Sequence, residues 1–225
     1  LLAAGSRAGG SLIGGQGGAV RLDGSLDAVG PRALFVTLGG EGRRPDGAER
    51  EAGVGLLPAG GGLKELAVRA SQAAGPGGDV FAELKKTFET VAMAKVSASA
   101  LEAKELGLVR ASDKIVFNAY ELLYIARQEA VALAETGYRP PLPARRIQVA
   151  GDVGIATFKM MLVNMLEGRF ISPHDYEIAT RIATVLCGGD VDRGSLVDEE
   201  WLLKLERTHF VELAQQEKTQ ARIAH

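Results

Sequence analysis

Glu51-Ala-Gly-Val-Gly-Leu-Leu-Pro-Ala-Gly-Gly-Gly-Leu-Lys-Glu-Leu66 decides how this chain is read. One carboxylate stands ahead of a short apolar run. Pro58 stops the run, and Gly60, Gly61 and Gly62 make a turn that opens into a helix. Glycine there permits backbone angles and a close ligand approach that side chains would forbid. A helix starting directly after such a turn leaves its first N–H groups free, which suits an anionic group. Glu51 beside a place for a phosphorylated carrier suggests acid–base chemistry on a carried substrate. The stretch is not a dinucleotide fingerprint, because Pro58 stands where Gly53-Val54-Gly55 would need its third glycine. Nor is it a phosphate loop, since Gly62 is followed by Leu63-Lys64-Glu65. An ordinary glycine-rich strand-to-helix connection stays open as the plainer reading.

Downstream, the signals favour helices. Leu63 to about Ala74 forms the helix after the turn, and Gly75-Pro-Gly-Gly78 ends it. A second segment from Asp79 carries Phe81, Leu84 and Phe88 at helical spacing. Ser99-x-x-Glu102 has the form of a capping box, with Gly107 where a helix C-terminus wants left-handed geometry. Tyr120 to about Glu135 predicts a long amphipathic helix, closed by Gly137 and Pro140-Pro141. Arg139 to Arg146 is then a stiff basic linker, either a solvated connector or a contact to the phosphates of a carrier.

Ile155 to about Leu166 carries Met160, Met161 and Met165, flexible side chains that suit either core filling or a tunnel for a variable chain. Ser172, Pro173 and Asp175 mark the start of a helix that runs to about Cys187 and stops at Gly188-Gly189. A last helix begins near Asp198 and carries Trp201, Leu202, Leu205, Phe210 and Leu213. No stop signal precedes His225, which reads as a truncation point. Ala33 to Leu38 is the best candidate strand.

Composition bounds the function. A chain of 225 residues, 46% of them hydrophobic, can bury one sizeable core or two small ones. A net charge of −2 and a pI near 6.0 give no reason to expect nucleic acid or an anionic membrane. No apolar run approaches the ~18 residues needed to cross a bilayer, and the start Leu-Leu-Ala-Ala-Gly is no signal peptide. The single cysteine, Cys187, excludes an internal disulfide and suits a reducing cytoplasm, where it packs rather than reacts. His174, His209 and His225 are too scattered for a metal site. His174-Asp175 has the form of a dyad fragment, though helix capping accounts for both residues.

Four segments carry a family likeness. The Glu51 stretch resembles the second catalytic segment of the crotonase (enoyl-CoA hydratase/isomerase) superfamily, in which a glutamate precedes an apolar-Gly-x-x-Pro-x-x-Gly-Gly run. Ser99-Ala-Leu-Glu102-Ala-Lys-Glu-Leu-Gly107-Leu-Val109 is similar to that family's Ala-x-x-x-Gly-Leu-Val element. Phe88 to Val96 and Glu217 to His225 resemble the hydratase part of bacterial proteins that fuse a 3-hydroxyacyl-CoA dehydrogenase to an enoyl-CoA hydratase. The likeness covers about Glu51 to His225.

The resemblance implies a helix-dominated α/β fold: a partial crotonase-like spiral of strand–strand–helix repeats, with a C-terminal helical region that self-associates. It implies an enoyl-CoA hydratase of fatty acid β-oxidation, a lyase that adds water across the 2,3 double bond of an acyl-CoA thioester. Glu51 would be the catalytic carboxylate, moving the proton at the α-carbon. Gly60, Gly61 and Gly62 would bind substrate on the CoA side. No cofactor is implied beyond the CoA thioester, with NAD confined to a dehydrogenase region or subunit. A single-glutamate isomerase and a non-catalytic acyl-CoA-binding or assembly protein stay open as alternatives.

Residues 1–50 depart from the pattern. The family's other glutamate is absent, since no glutamate lies between Leu1 and Gly40. Leu12-Ile-Gly-Gly-Gln-Gly-Gly18 is glycine-rich but wrongly placed for the first oxyanion-hole turn. The segment has arginine as its only basic residue and Phe35 as its only aromatic, so it has little with which to offset the entropy of ordering. It reads as a divergent glycine-rich segment, disordered or translated from the wrong frame.

Overall fold

The computed structural model describes residues 16–17, 33–34, 55–93, 95 and 97–224. The chain divides into two compact units, residues 1–46 with 96–142 and residues 47–95 with 143–225. Helix predominates among the described residues, as expected of a helix-rich α/β chain. The strands among the described residues form only two antiparallel pairs of two residues each, so a spiral of strand–strand–helix repeats is not seen there.

In the first unit, β1 (Gln16–Gly17) pairs antiparallel with β2 (Ala33–Leu34), within the one stretch expected to be extended. Helix α3 (Ala100–Glu105) starts at Ser99, whose Oγ accepts the Glu102 N–H at 3.1 Å. The reciprocal arm of the capping box is displaced by one residue, because the Glu102 carboxylate accepts from the Ala98 N–H. Gly107 ends this segment at φ +72. A 3₁₀ turn at Ala119–Glu121 leads into α4 (Leu122–Glu135). The sequence predicts an amphipathic helix here, yet α4 buries no residue, and Leu123, Tyr124 and Val131 are exposed.

The second unit holds the main core. Helices α1 (Gly62–Ala74) and α2 (Val80–Ala92) are separated by the Gly75–Gly78 turn that the sequence predicts. Strand β3 (Ile147–Gln148) leads into α5 (Gly151–Glu167) and α6 (Pro173–Leu186). Strand β4 (Leu196–Val197) pairs antiparallel with β3 and precedes α7 (Glu199–Ala214) and α8 (Glu217–Ile223). This short ribbon was not foreseen, because two residues are too few to show alternation. The final helix is also broken: Gln216 takes an extended conformation between α7 and α8.

Helix α6 packs against α5, α1, α2 and α7, and buries Ile178, Ala179, Ile182, Ala183, Val185 and Leu186. Phe158 of α5 stacks on Phe88 of α2, with ring centroids 4.0 Å apart, and leans on Phe81 at 4.7 Å. Gly154 lets α5 lie close to both neighbours, since a Cβ there would stand 2.9 Å from the Cys187 Sγ and 3.4 Å from Phe81 Cδ2. Gly188, at φ +90, turns the chain out of α6 where a Cβ would strike Val149. The methionines divide: Met165 packs against this core, whereas Met160 and Met161 are exposed on α5. A tunnel wall is therefore not what the exposed pair forms.

Phe158→Ala removes the aromatic shared by α2 and α5, and should cost about 3–5 kcal/mol in denaturant unfolding. Met160→Ala, on the exposed face, should change stability by less than about 0.5 kcal/mol.

Candidate functional site

The Gly60-Gly61-Gly62 turn lies where the sequence places it. Gly60 (φ +77) and Gly61 (φ +92) use the left-handed geometry open to glycine. Gly60 is exposed, with open space where a Cβ would be, Gly62 is half-buried and Gly61 is buried. Helix α1 has no capping side chain of its own. Its first N–H groups meet a carboxylate from far along the chain. The Gly61 N–H donates to Glu206 Oε1 at 2.8 Å, and the Lys64 N–H donates to Oε2 at 3.3 Å. The anion at this helix start is thus Glu206 of α7. Glu51 lies outside the described residues.

Around this cap is a buried charge network. The Lys64 ammonium, only 1% exposed, bonds Glu199 at 3.0 Å and lies 3.6 Å from Glu65. Glu65 also pairs with Arg69, one turn along α1, at 3.1 Å. The other oxygen of Glu199 accepts the Ala144 N–H at 2.9 Å, which ties the approach to β3 to the first turn of α7. Ala67, Val68, Ile147, Val149 and Leu202 form the apolar cluster beside it. Burial pushes the Glu206 pKa above its usual range, against the opposing pull of the Gly61, Lys64 and Gly62 N–H groups and the Lys64 charge.

Sequence reasoning missed Glu206, Glu199 and Thr219. A signal for Glu206 existed: it sits four residues after Leu202 and seven before Leu213, inside the buried stripe of α7. A charge at a core position of a helix needs a buried partner.

The His174–Asp175 pair separates into two roles. Asp175 completes a capping box with Ser172. Burial opposes its ionisation, but hydrogen bonds from Ser172 and Arg222 hold its carboxyl below the usual range. His174 turns inward to Thr219 of α8 at 3.1 Å. Burial pushes the Cys187 thiol up to about 12, so it is inert packing. A recess of about 350 Å³ between α5 and α6 is lined by Asp152, Ile155, Ala156, Lys159, Thr184 and Asp190. Among the described residues, no three His, Cys, Asp or Glu side chains gather to hold a metal. Among them too, no helix is long and apolar enough to cross a membrane.

Comparison with known proteins bears directly on the enzymatic reading. The chain is similar to the probable 3-hydroxyacyl-CoA dehydrogenase of Bacillus subtilis (strain 168), with 45% identity over 175 residues. The match takes in 78% of this chain and 22% of that protein, so the chain spans about a fifth of the relative's length. No family model matches the chain, and no solved structure does.

This relative overturns the assignment to the crotonase superfamily and, with it, the hydratase activity and the lyase class. It is named for oxidation of a 3-hydroxyacyl-CoA, the work of an oxidoreductase. The expectation of no cofactor falls for the same reason: removing hydride from a carbinol carbon requires an acceptor, and NAD+ is the one implied. The motifs misled because they are short and conformational. Pro-x-x-Gly-Gly specifies a turn before a helix and Gly-Leu-Val follows a helix end, which is how the start of α1 and the end of α3 use them.

Glu206→Ala leaves the buried N–H groups of Gly61 and Lys64 without their acceptor, and should cost about 1–3 kcal/mol for each group left unpaired. Glu206→Gln should cost less, since its carbonyl oxygen can still accept from Gly61. Because folding raises the Glu206 pKa, its titration contributes stability below the ordinary carboxylate range, and this is lost as pH rises through the folded value. The stability gap between the wild type and Glu206→Gln should therefore widen as pH falls from 7 towards 4, measured by urea unfolding at each pH.

Proposed function

We propose that this chain is part of a 3-hydroxyacyl-CoA dehydrogenase-like protein of fatty acid metabolism, and that it handles the CoA thioester rather than the oxidant. The 45% identity over 175 residues carries this reading. In such a reaction, NAD+ supplies the hydride acceptor.

The described residues do not fit NAD+. A dinucleotide's pyrophosphate is held on a helix N-terminus that follows a parallel strand and a glycine turn. The glycine-led helix here is α1, and its first N–H groups are already given to the Glu206 carboxylate, so they cannot also hold a pyrophosphate. The strand pairs among the described residues are antiparallel. We therefore place the dinucleotide outside these residues and route no chemical step through it.

For the thioester, Gly60 supports the reading best, because it is exposed and leaves open space beside the backbone. Gly61 and Gly62 shape the same turn, and Glu51 keeps its proposed place as an acid–base carboxylate near the carried acyl group. Association with a dehydrogenase region and self-association through the C-terminal helices belong to the same proposal. So does a cytoplasmic setting, in which the lone buried thiol stays reduced.

Calorimetric titration of the chain with 3-hydroxybutyryl-CoA and, separately, with NAD+ tests this. The thioester should bind and NAD+ should not. Gly60→Glu should weaken thioester binding about fivefold to tenfold, the ~1 kcal/mol of a like charge in a solvated setting. Binding of NAD+ with shifted α1 amide resonances, or failure to bind the thioester, would overturn the reading.

A further inference from the structure

The shortest helix of the second unit is held down by one buried hydrogen-bond chain. Thr219 of α8 is 0% exposed, and its hydroxyl donates to the Gly55 carbonyl at 2.9 Å. A hydroxyl has one proton to give. The contact from His174 Nε2 to Thr219 Oγ1 at 3.1 Å must therefore be donated by the imidazole, which fixes the Nε2–H tautomer. Three distant segments meet here: α8, the second residue of α6, and the backbone that leads into the glycine turn. The fit is close, since a Cβ on Gly55 would stand 3.0 Å from Thr219 Oγ1 and 3.1 Å from His174 Nε2.

We propose that His174 is a proton-operated pin: neutral, it clasps α8 onto α6 and Gly55, and protonated, it releases α8. The physical ground is the place where the second proton would go. His174 sits in the first turn of a 14-residue helix, where aligned backbone dipoles disfavour a cation. His174 is 4% exposed, so an imidazolium there would lose most of its hydration. The charges facing it are known from both helices. Helix α8 brings the cations Arg222 and Lys218, and α6 brings the anions Glu177 and Asp175. The anions are engaged already, Asp175 with Arg222 at 2.8 Å and Glu177 with Arg181 at 2.9 Å. Gly55 contributes only a carbonyl. Burial and then the Arg222 charge hold the His174 pKa below that of a free imidazole.

The sign follows from linkage. A histidine whose folded pKa is depressed contributes fully above the unfolded value, near 6.5, and that contribution is lost as pH falls towards the folded pKa. Across this window the opening of α8 should rise by about tenfold per pH unit. Helix α8 has only seven residues and no side-chain cap, so it will not persist as a helix once detached.

Hydrogen exchange at the Gln220 and Ala224 amides, corrected for intrinsic rates, reads the state of α8 between pH 8 and 5. These amides close the α8 turns onto Gln216 and Gln220. Protection in the wild type should fall about tenfold per unit below pH 6.5 and level off where the His174 ring resonance titrates in NMR. His174→Gln should make the profile flat, and Thr219→Val should make protection low at every pH. His209→Gln should leave the wild-type profile unchanged. His209 is the other described histidine whose pKa is held down, by burial and by Arg181, so it is the control for general acid sensitivity. Should His174→Gln fail to fold, the coincidence of ring titration and α8 exchange in the wild type still decides. Exchange that ignores pH, persists in His174→Gln, or moves with His209 would overturn the pin.

Discussion

Glu206 is the interaction on which the second unit turns. Helix α1 begins at glycines that supply no cap, so its first N–H groups need an acceptor from elsewhere in the chain. Glu206 meets that need from α7, across 145 residues of sequence. A buried carboxylate is costly unless it is hydrogen-bonded and compensated. Here the backbone donors, the helix dipole and Lys64 share that role, and Lys64 is in turn held by Glu199. Because Glu199 also fixes Ala144, the register of β3 against β4 is linked to the same network. One helix cap therefore sets the placement of α1, α7 and the ribbon together.

The apolar core supports this arrangement without specifying it. Helix α6 is buried along one side, and Phe158, Phe88 and Phe81 bring α5 and α2 onto its neighbours. Such packing is tolerant of small shifts, whereas two backbone N–H groups aimed at one carboxylate are not. The charge network thus selects one geometry from those the core would permit. The same network also bears on ligand binding. An anion site read from a glycine turn is an anion site only while nothing internal fills it, and Glu206 fills this one.

Much of the helical layout was legible. Asp79, Ser99, Ser172 and Asp198 each cap the helix expected of them, and Gly75, Gly107, Gly137 and Gly188 stand at the turns where the helical runs stop. These are local choices, made by a side-chain oxygen within reach of its own backbone or by a residue with no Cβ. Of the two-residue strands only β2 lies in a stretch expected to be extended; β1, β3 and β4 were not legible, and neither was the extended Gln216, which carries no glycine or proline to announce it. The functional reading failed where it relied on turn-forming motifs, because a turn can serve many chemistries.

The sequence alone determined most of the helix starts and stops in 55–224, since each depends on neighbours a few residues away. Only the tertiary structure decided that the anion at α1 is Glu206, that Lys64 is buried, and that His174 faces Thr219 rather than forming a dyad with Asp175. Those outcomes join residues 45 to 145 positions apart. No local pattern encodes which distant side chain a buried polar group will find; it encodes only that such a group must find one.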